Sequence, residues 1–169
     1  IRILTVGRLT YQKAYDIAID AMKLVKQSGC KARWYVLGEG NEREKLEKKI
    51  KELGLEEDFL LLGAVENPYP YYAQADLYVH ATRFEGKSIA IQEAQVLGCP
   101  VIASDCNGNR EQIESGVDGI LCKLSPEDIA KCIEELIADP KKRQIYAKCA
   151  RERNKENKQE INQLLTMMR

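Results

Sequence analysis

Short apolar runs, each stopped by glycine or a polar turn, alternate along the chain with segments whose apolar residues recur at helical spacing. Ile1-Arg2-Ile3-Leu4-Thr5-Val6 reads as a buried strand, and Ala14, Ile17, Ala18, Ala21, Leu24 and Val25 then mark an amphipathic helix that Gly29 stops. The unit repeats: a strand over Arg33 to Leu37, the turn Gly38-Glu39-Gly40, and a charged helix that carries Leu46, Ile50 and Leu53, with Asn41 as its expected cap. Phe59 to Leu62 predicts a third strand, Tyr69 to Ala75 a short helix, and Leu77 to Val79 a fourth strand. Ser88 is placed to cap a helix through Leu97; Val101 to Ser104 is a fifth strand, a short helix follows near Glu111, and Gly119 to Cys122 is a sixth. Ser125-Pro126 then supplies the cap and first-turn residue of another helix.

Short strands that are apolar at nearly every position and separated by helices require cover on both faces. The predicted fold is therefore α/β, a Rossmann-like doubly wound sheet of six parallel strands. A length of 169 residues with 44% hydrophobic composition fits one domain with a continuous core. From Arg151 the pattern changes to an almost wholly polar run before Ile161, Leu164, Leu165 and Met168 restore an apolar stripe. The organisation expected is a domain over 1–150 and a carboxy-terminal helix over 151–169 that either folds back or packs on a partner domain. Because the chain opens in mid-strand at Ile1 without a methionine, a trimmed longer polypeptide is also expected.

Charge and cysteine use exclude some classes of function. Basic and acidic side chains number 26 each, so there is no general positive field to draw the protein onto nucleic acid. The six cysteines form no Cys-x-x-Cys pair and the chain has one histidine, which argues for reduced thiols and against a zinc or disulfide framework. No apolar run approaches a membrane span. A cytoplasmic location follows, with peripheral contact at the inner membrane face left open.

In a doubly wound sheet ligands meet the loops at the carboxyl ends of the strands. The first strand delivers Gly7 and Arg8, with Lys13 close behind, and a guanidinium and an ammonium converging near a helix start suit a diphosphate. Ordinary solvated charges would look the same. After the fourth strand, Glu85-Gly86-Lys87-Ser88-Ile89 leads into a helix that carries Glu93. Backbone there can approach phosphate or sugar oxygens, and carboxylates hold paired hydroxyls. A capping or salt-bridged glutamate is the plainer reading; a buried Glu93 would need partners, which a ribose diol can supply. The Asn107-Gly108 pair predicts a turn over the same crevice. Gly38-Glu39-Gly40 is not a dinucleotide fingerprint, since Arg43 stands at its third glycine and it follows the second strand. His80, at a strand end, is expected to pack or hydrogen-bond and is given no catalytic role.

Taken in order, Val6-Gly7-Arg8-Leu9, Lys13, Gly38-Glu39-Gly40, Ala75-Asp76-Leu77-Tyr78-Val79, Glu85-Gly86 through Glu93-Ala94, Gly98-x-Pro100-Val101 and Gly116-x-x-Gly119 resemble the carboxy-terminal domain of retaining GT-B glycosyltransferases of family four. The resemblance spans residue 1 to about 140. It implies binding of a UDP- or GDP-linked nucleotide-sugar as substrate, with no metal and no further cofactor. Arg8 and Lys13 would neutralise the diphosphate, Glu85 would meet the transferred sugar and Glu93 the ribose, with Gly7, Gly86, Lys87, Ser88 and Ile89 lining the pocket. It further implies a missing amino-terminal acceptor-binding domain, so that the chain alone would not transfer sugar. Two departures stand out: Ala14 where the family usually has glycine, and Lys87-Ser88 where Phe-Gly is frequent. The second resembles members that assemble capsule and other surface polysaccharides. Competing readings are a non-catalytic nucleotide or sugar-phosphate binding module, a sugar-nucleotide epimerase fragment of the same architecture, and an interaction domain in which both glutamates are structural.

Overall fold

The computed structural model describes residues 1–154. Its strands are β1 (Arg2–Val6), β2 (Arg33–Leu37), β3 (Phe59–Gly63), β4 (Leu77–His80), β5 (Val101–Ser104) and β6 (Gly119–Cys122). The helices are α1 (Tyr15–Gln27), α2 (Arg43–Glu52), α3 (Tyr69–Gln74), α4 (Ile89–Val96), α5 (Asn107–Gln112), α6 (Pro126–Ala138) and α7 (Pro140–Asn154). All strand pairs are parallel and the order is β3-β2-β1-β4-β5-β6. The order reverses between β1 and β4, which opens a crevice at their carboxyl ends.

Side-chain alternation divides the strands between two cores. Ile3, Val36, Leu77, Val79 and Ile102 face the layer of α1, α2 and α6, whereas Leu4, Leu37, Tyr78, Val101 and Ala103 face α3 and α4. The inner strands β1, β2, β4 and β5 are buried on both faces and therefore read as apolar runs, whereas the edge strand β3 leaves Leu62 exposed. Ser88 and Ser125 cap α4 and α6 as expected, their hydroxyls accepting from the amides of Ile91 and Asp128. The cap predicted at Asn41 is not made: Glu42 precedes α2 in helical geometry without a side-chain cap bond. Asn107-Gly108 is not a turn but the first residues of α5.

The proposed boundary at 150/151 falls inside α7, which continues through Asn154. Arg151 donates to the Leu97 carbonyl at the end of α4 (3.0 Å), and Arg153 pairs with the buried carboxylate of Asp118 (2.6 Å). The first residues of that polar run are thus held by the domain. The apolar stripe from Ile161 onward lies outside the described residues.

Candidate active site

Two loops meet over the β1/β4 crevice. The Thr82 hydroxyl and the Arg83 amide both donate to the Gln12 carbonyl, at 3.0 and 2.8 Å, and the Gln12 side chain donates back to the Phe84 carbonyl at 2.9 Å. The Gly38-Glu39-Gly40 loop lies on the first of these. A Cβ at Gly38 would fall 2.0 Å from the Gly7 oxygen, and one at Gly40 would fall 2.2 Å from the Leu9 oxygen. Those glycines serve contact between loops at the crevice floor.

Glu85 sits where the loops join. Its Oε2 accepts from Lys13 Nζ and lies 2.9 Å from Nε2 of His80. Burial alone would raise this carboxyl, but hydrogen bonds from His80 and Lys13 and the Lys13 charge outweigh it and hold the group at about 2. Burial lowers the His80 pKa, opposed by the hydrogen bond to Glu85, so a neutral ring donating from Nε2 to an ionised carboxylate is the consistent state. Lys13 also passes over Gly7, where an added Cβ would meet its Cε at 3.6 Å. Lys13 thus runs past the glycine that follows β1, and its ammonium is engaged by Glu85.

Glu93, on the second turn of α4, is half-buried beside two phenols. Tyr72 donates to its Oε2 at 3.1 Å and Tyr69 to its Oε1 at 3.4 Å. Burial raises the Glu93 pKa despite both bonds. The partners that its burial requires come from the protein itself, before any ligand arrives. The Tyr78 hydroxyl is 3.3 Å from Nδ1 of His80 and 3.3 Å from the Val6 carbonyl oxygen, and its ring packs on that of Tyr72 with centroids 5.5 Å apart.

The loop from Gly86 to Ile89 divides by role. Both backbone polar groups of Ser88 are taken by Gln112, whose side chain accepts from the amide (2.6 Å) and donates to the carbonyl (2.8 Å). Ser88 therefore shapes the loop and its amide is not free to meet a phosphate. Lys87 and Ile89 are exposed, and a Cβ at Gly86 would meet open space. Gly108 presses on this loop from behind, since its Cβ would lie 2.0 Å from the Gly86 oxygen and 2.4 Å from that of Glu85. Exposed Arg8 lines a neighbouring cavity of about 470 Å³ with Val6, Gly7, Leu37, Gly38, Glu39, Ala64, Val65 and Pro68.

Sequence reasoning thus named Glu85, Glu93 and Lys13 but missed how they are held. His80 was legible as a polar residue in an apolar strand. Tyr69, Tyr72 and Tyr78 carried no signal, because a tyrosine in an amphipathic pattern reads as core. Among the described residues no helix is long and apolar enough to cross a membrane.

Residues 1–153 match the family described as glycosyl transferases group 1. The chain is 34% identical over 155 residues to the N-acetylgalactosamine-N,N'-diacetylbacillosaminyl-diphospho-undecaprenol 4-alpha-N-acetylgalactosaminyltransferase of Campylobacter jejuni, with 90% of this chain and 42% of the relative covered. It is 31% identical over 149 residues to the amylovoran biosynthesis glycosyltransferase AmsD of Erwinia amylovora, covering 88% of this chain and 42% of that protein. The chain therefore spans less than half the length of these curated relatives. Among solved structures, Anabaena HepE in complex with UDP superposes with a TM-score of 0.85 at 27% identity, over 99% of this chain and 48% of that one. The carboxy-terminal domain of a group 1 glycosyl transferase, LpcC of Francisella tularensis, superposes with a TM-score of 0.80 at 27% identity, over 92% and 84% of the two chains. With the parallel sheet, the crevice at its switch point and the glutamate pair in place, this chain belongs to the glycosyl transferases group 1 family, whose GT-B fold its Rossmann-like sheet represents by one half.

Proposed function

We propose that this chain binds the nucleotide-sugar donor of a retaining, metal-independent glycosyl transfer in polysaccharide or glycoconjugate assembly. The observation that carries the reading is Lys13 running past Gly7 to Glu85 at the carboxyl ends of β1 and β4, with Glu93 on the helix that follows the Glu85 loop. The nucleoside occupies the cavity beside Arg8 and Val65, with its ribose diol turned to Glu93. The diphosphate lies over Gly7 between Arg8 and Lys13, and the sugar meets Glu85 beside Gly86, Lys87 and Ile89.

The ligand-free ion pair has a role in this scheme. A diphosphate carries more negative charge than one carboxylate, so it competes for the Lys13 ammonium and frees Glu85 to accept from sugar hydroxyls. Charge on the leaving diphosphate is then stabilised by Arg8 and Lys13 without a metal ion. The relative from Campylobacter jejuni acts, by its name, on an undecaprenol-linked acceptor, and an acceptor of that class suits a peripheral location at the cytoplasmic membrane face. An amino-terminal acceptor-binding domain in the same polypeptide completes the enzyme.

The test is a thermal-shift screen of UDP, GDP, ADP and their sugar conjugates on the parent chain and on Glu93→Ala and Arg8→Ala. Ligand at a hundred times its dissociation constant adds about 2.7 kcal/mol, or roughly 5 to 10 degrees for a domain of this size. One nucleotide class should shift the parent and leave both variants nearly unmoved. A parent that responds to none of them refutes the donor-site reading for this chain. Sugar transfer is expected only when the amino-terminal half is supplied.

A further inference from the structure

The turn that delivers Lys13 has no anchor in either core. None of Tyr11, Gln12 and Lys13 is buried, and neither the turn nor α1 after it carries a side-chain cap. A segment with few buried contacts is held by the polar contacts it makes. Across the crevice these come from one stretch, Thr82 to Glu85, and Arg83 adds a second tie from its side chain.

One guanidinium reaches both sides of Ala14, the left-handed residue at which the turn passes into α1. Arg83 Nη1 donates to the Tyr11 carbonyl at 2.6 Å and to Asp16 Oδ1 at 3.1 Å, while Nη2 donates to Asp16 Oδ2 at 2.7 Å. The Tyr11 ring lies against the same group, with Arg83 Cζ 3.9 Å from the ring centroid. The Arg83 and Asp16 side chains are 18% and 29% exposed. Burial would raise the Asp16 carboxyl, but the Arg83 bond and charge outweigh it and hold the group below its ordinary value. A forked pair fixes angle as well as distance, which the point charge of a lysine does not. Arg83 therefore ties the bend at Ala14 and the start of α1 to the loop that carries Glu85.

We propose that Arg83 and Asp16 are positioning residues for donor binding, a clamp that holds the Tyr11–Lys13 turn on the β4–α4 loop and sets the spacing of the Lys13 ammonium and the Glu85 carboxylate before ligand arrives. This rests on the donor-site reading for the identity of the ligand, a nucleoside diphosphate sugar. The clamp itself is a property of the ligand-free fold. Lys13 is flexible, its reach depends on where its backbone is fixed, and ordering a loose turn on binding costs affinity.

Because the chain has one histidine, the titration of His80 beside Glu85 is read from a single imidazole by NMR. Burial and the Lys13 charge oppose protonation of that ring, and the bond to Glu85 favours it. Releasing Lys13 from Glu85 therefore raises the midpoint, and Lys13→Met gives the reference shift. Asp16→Asn is the discriminating variant, because losing a negative charge acts through space to lower the His80 midpoint, whereas losing the clamp raises it. Asp16→Asn and Arg83→Lys should both raise the midpoint in protein that circular dichroism shows to be folded, the second with the cation retained. By calorimetry with UDP- and GDP-sugars, each variant should weaken the conjugate that binds the parent by about fivefold or more. The double variant should bind no more weakly than either single one, as expected of two groups that act as a unit. Midpoints that stay or fall in the two variants overturn the proposal, and so does affinity within about twofold of the parent. Raised midpoints beside a parent that binds no nucleotide uphold the clamp and sink the donor-site reading instead.

Discussion

Ala14 holds a backbone angle of φ 47° and is the non-glycine residue with positive φ among the described residues. The departure from glycine thus falls where a left-handed conformation is required between the turn at Tyr11–Lys13 and α1. Left-handed geometry costs alanine about 1–2 kcal/mol, while the glycine alternative loses about 0.5–1 kcal/mol more backbone entropy and forfeits a buried methyl. Ala14→Gly should therefore change stability by less than about 1 kcal/mol, and Ala14→Val, β-branched in the same geometry, should destabilise by about 2 kcal/mol or more in urea titrations. Glu85 makes a pH prediction with a definite sign. Its carboxyl is held at about 2 against an ordinary 4.5, so the stability it contributes is present above pH 4.5 and disappears as pH falls through about 2. Glu85→Gln should flatten the fall in melting temperature across that window relative to the parent. An equal slope in both proteins would show that the carboxylate is not held as described.

At the scale of elements, α5 and the β4–α4 loop are fitted to each other through Gly108. A methyl there would overlap the Glu85 and Gly86 carbonyl oxygens, so Gly108→Ala must push α5 or the loop away. A cost of about 1–3 kcal/mol is expected, with at least tenfold weaker nucleotide-sugar binding. Gly86→Ala is the informative contrast: a methyl there meets open space, so stability should hold, and any affinity lost in calorimetry measures contact between ligand and this stretch of backbone. The end of α7 permits a similar test. Arg153 meets Asp118, whose side chain is 2% exposed, and a buried carboxylate deprived of its cation is costly. Arg153→Ala should lower stability by about 1–3 kcal/mol; a neutral outcome would mean that the Arg153–Asp118 pair does not hold α7 to the domain.

Across the whole molecule, the parallel six-stranded sheet could be anticipated because burial on both faces leaves an apolar run that a sequence displays openly. Strand and helix ends were legible where glycine, proline or a capping serine marks them, as at Ser88, Gly98 and Ser125. They were misread where chemistry was ambiguous, as at Asn41 and Asn107-Gly108, since a side chain that favours a turn is also accepted at the start of a helix. The reach of α7 past Arg151 was hidden because its anchors, Leu97 and Asp118, are distant in the chain. Glu85, Glu93 and Lys13 stood out in linear order, since a loop at a strand end and a helix after it are local features. Their electrostatic state was not a local property. It follows from β4 lying beside β1, which sets His80 and Lys13 on the same carboxylate oxygen. Order and spacing along the chain were enough for the architecture and for the positions of the charged groups. Which proton each group holds depends on neighbours that come together only when the sheet closes.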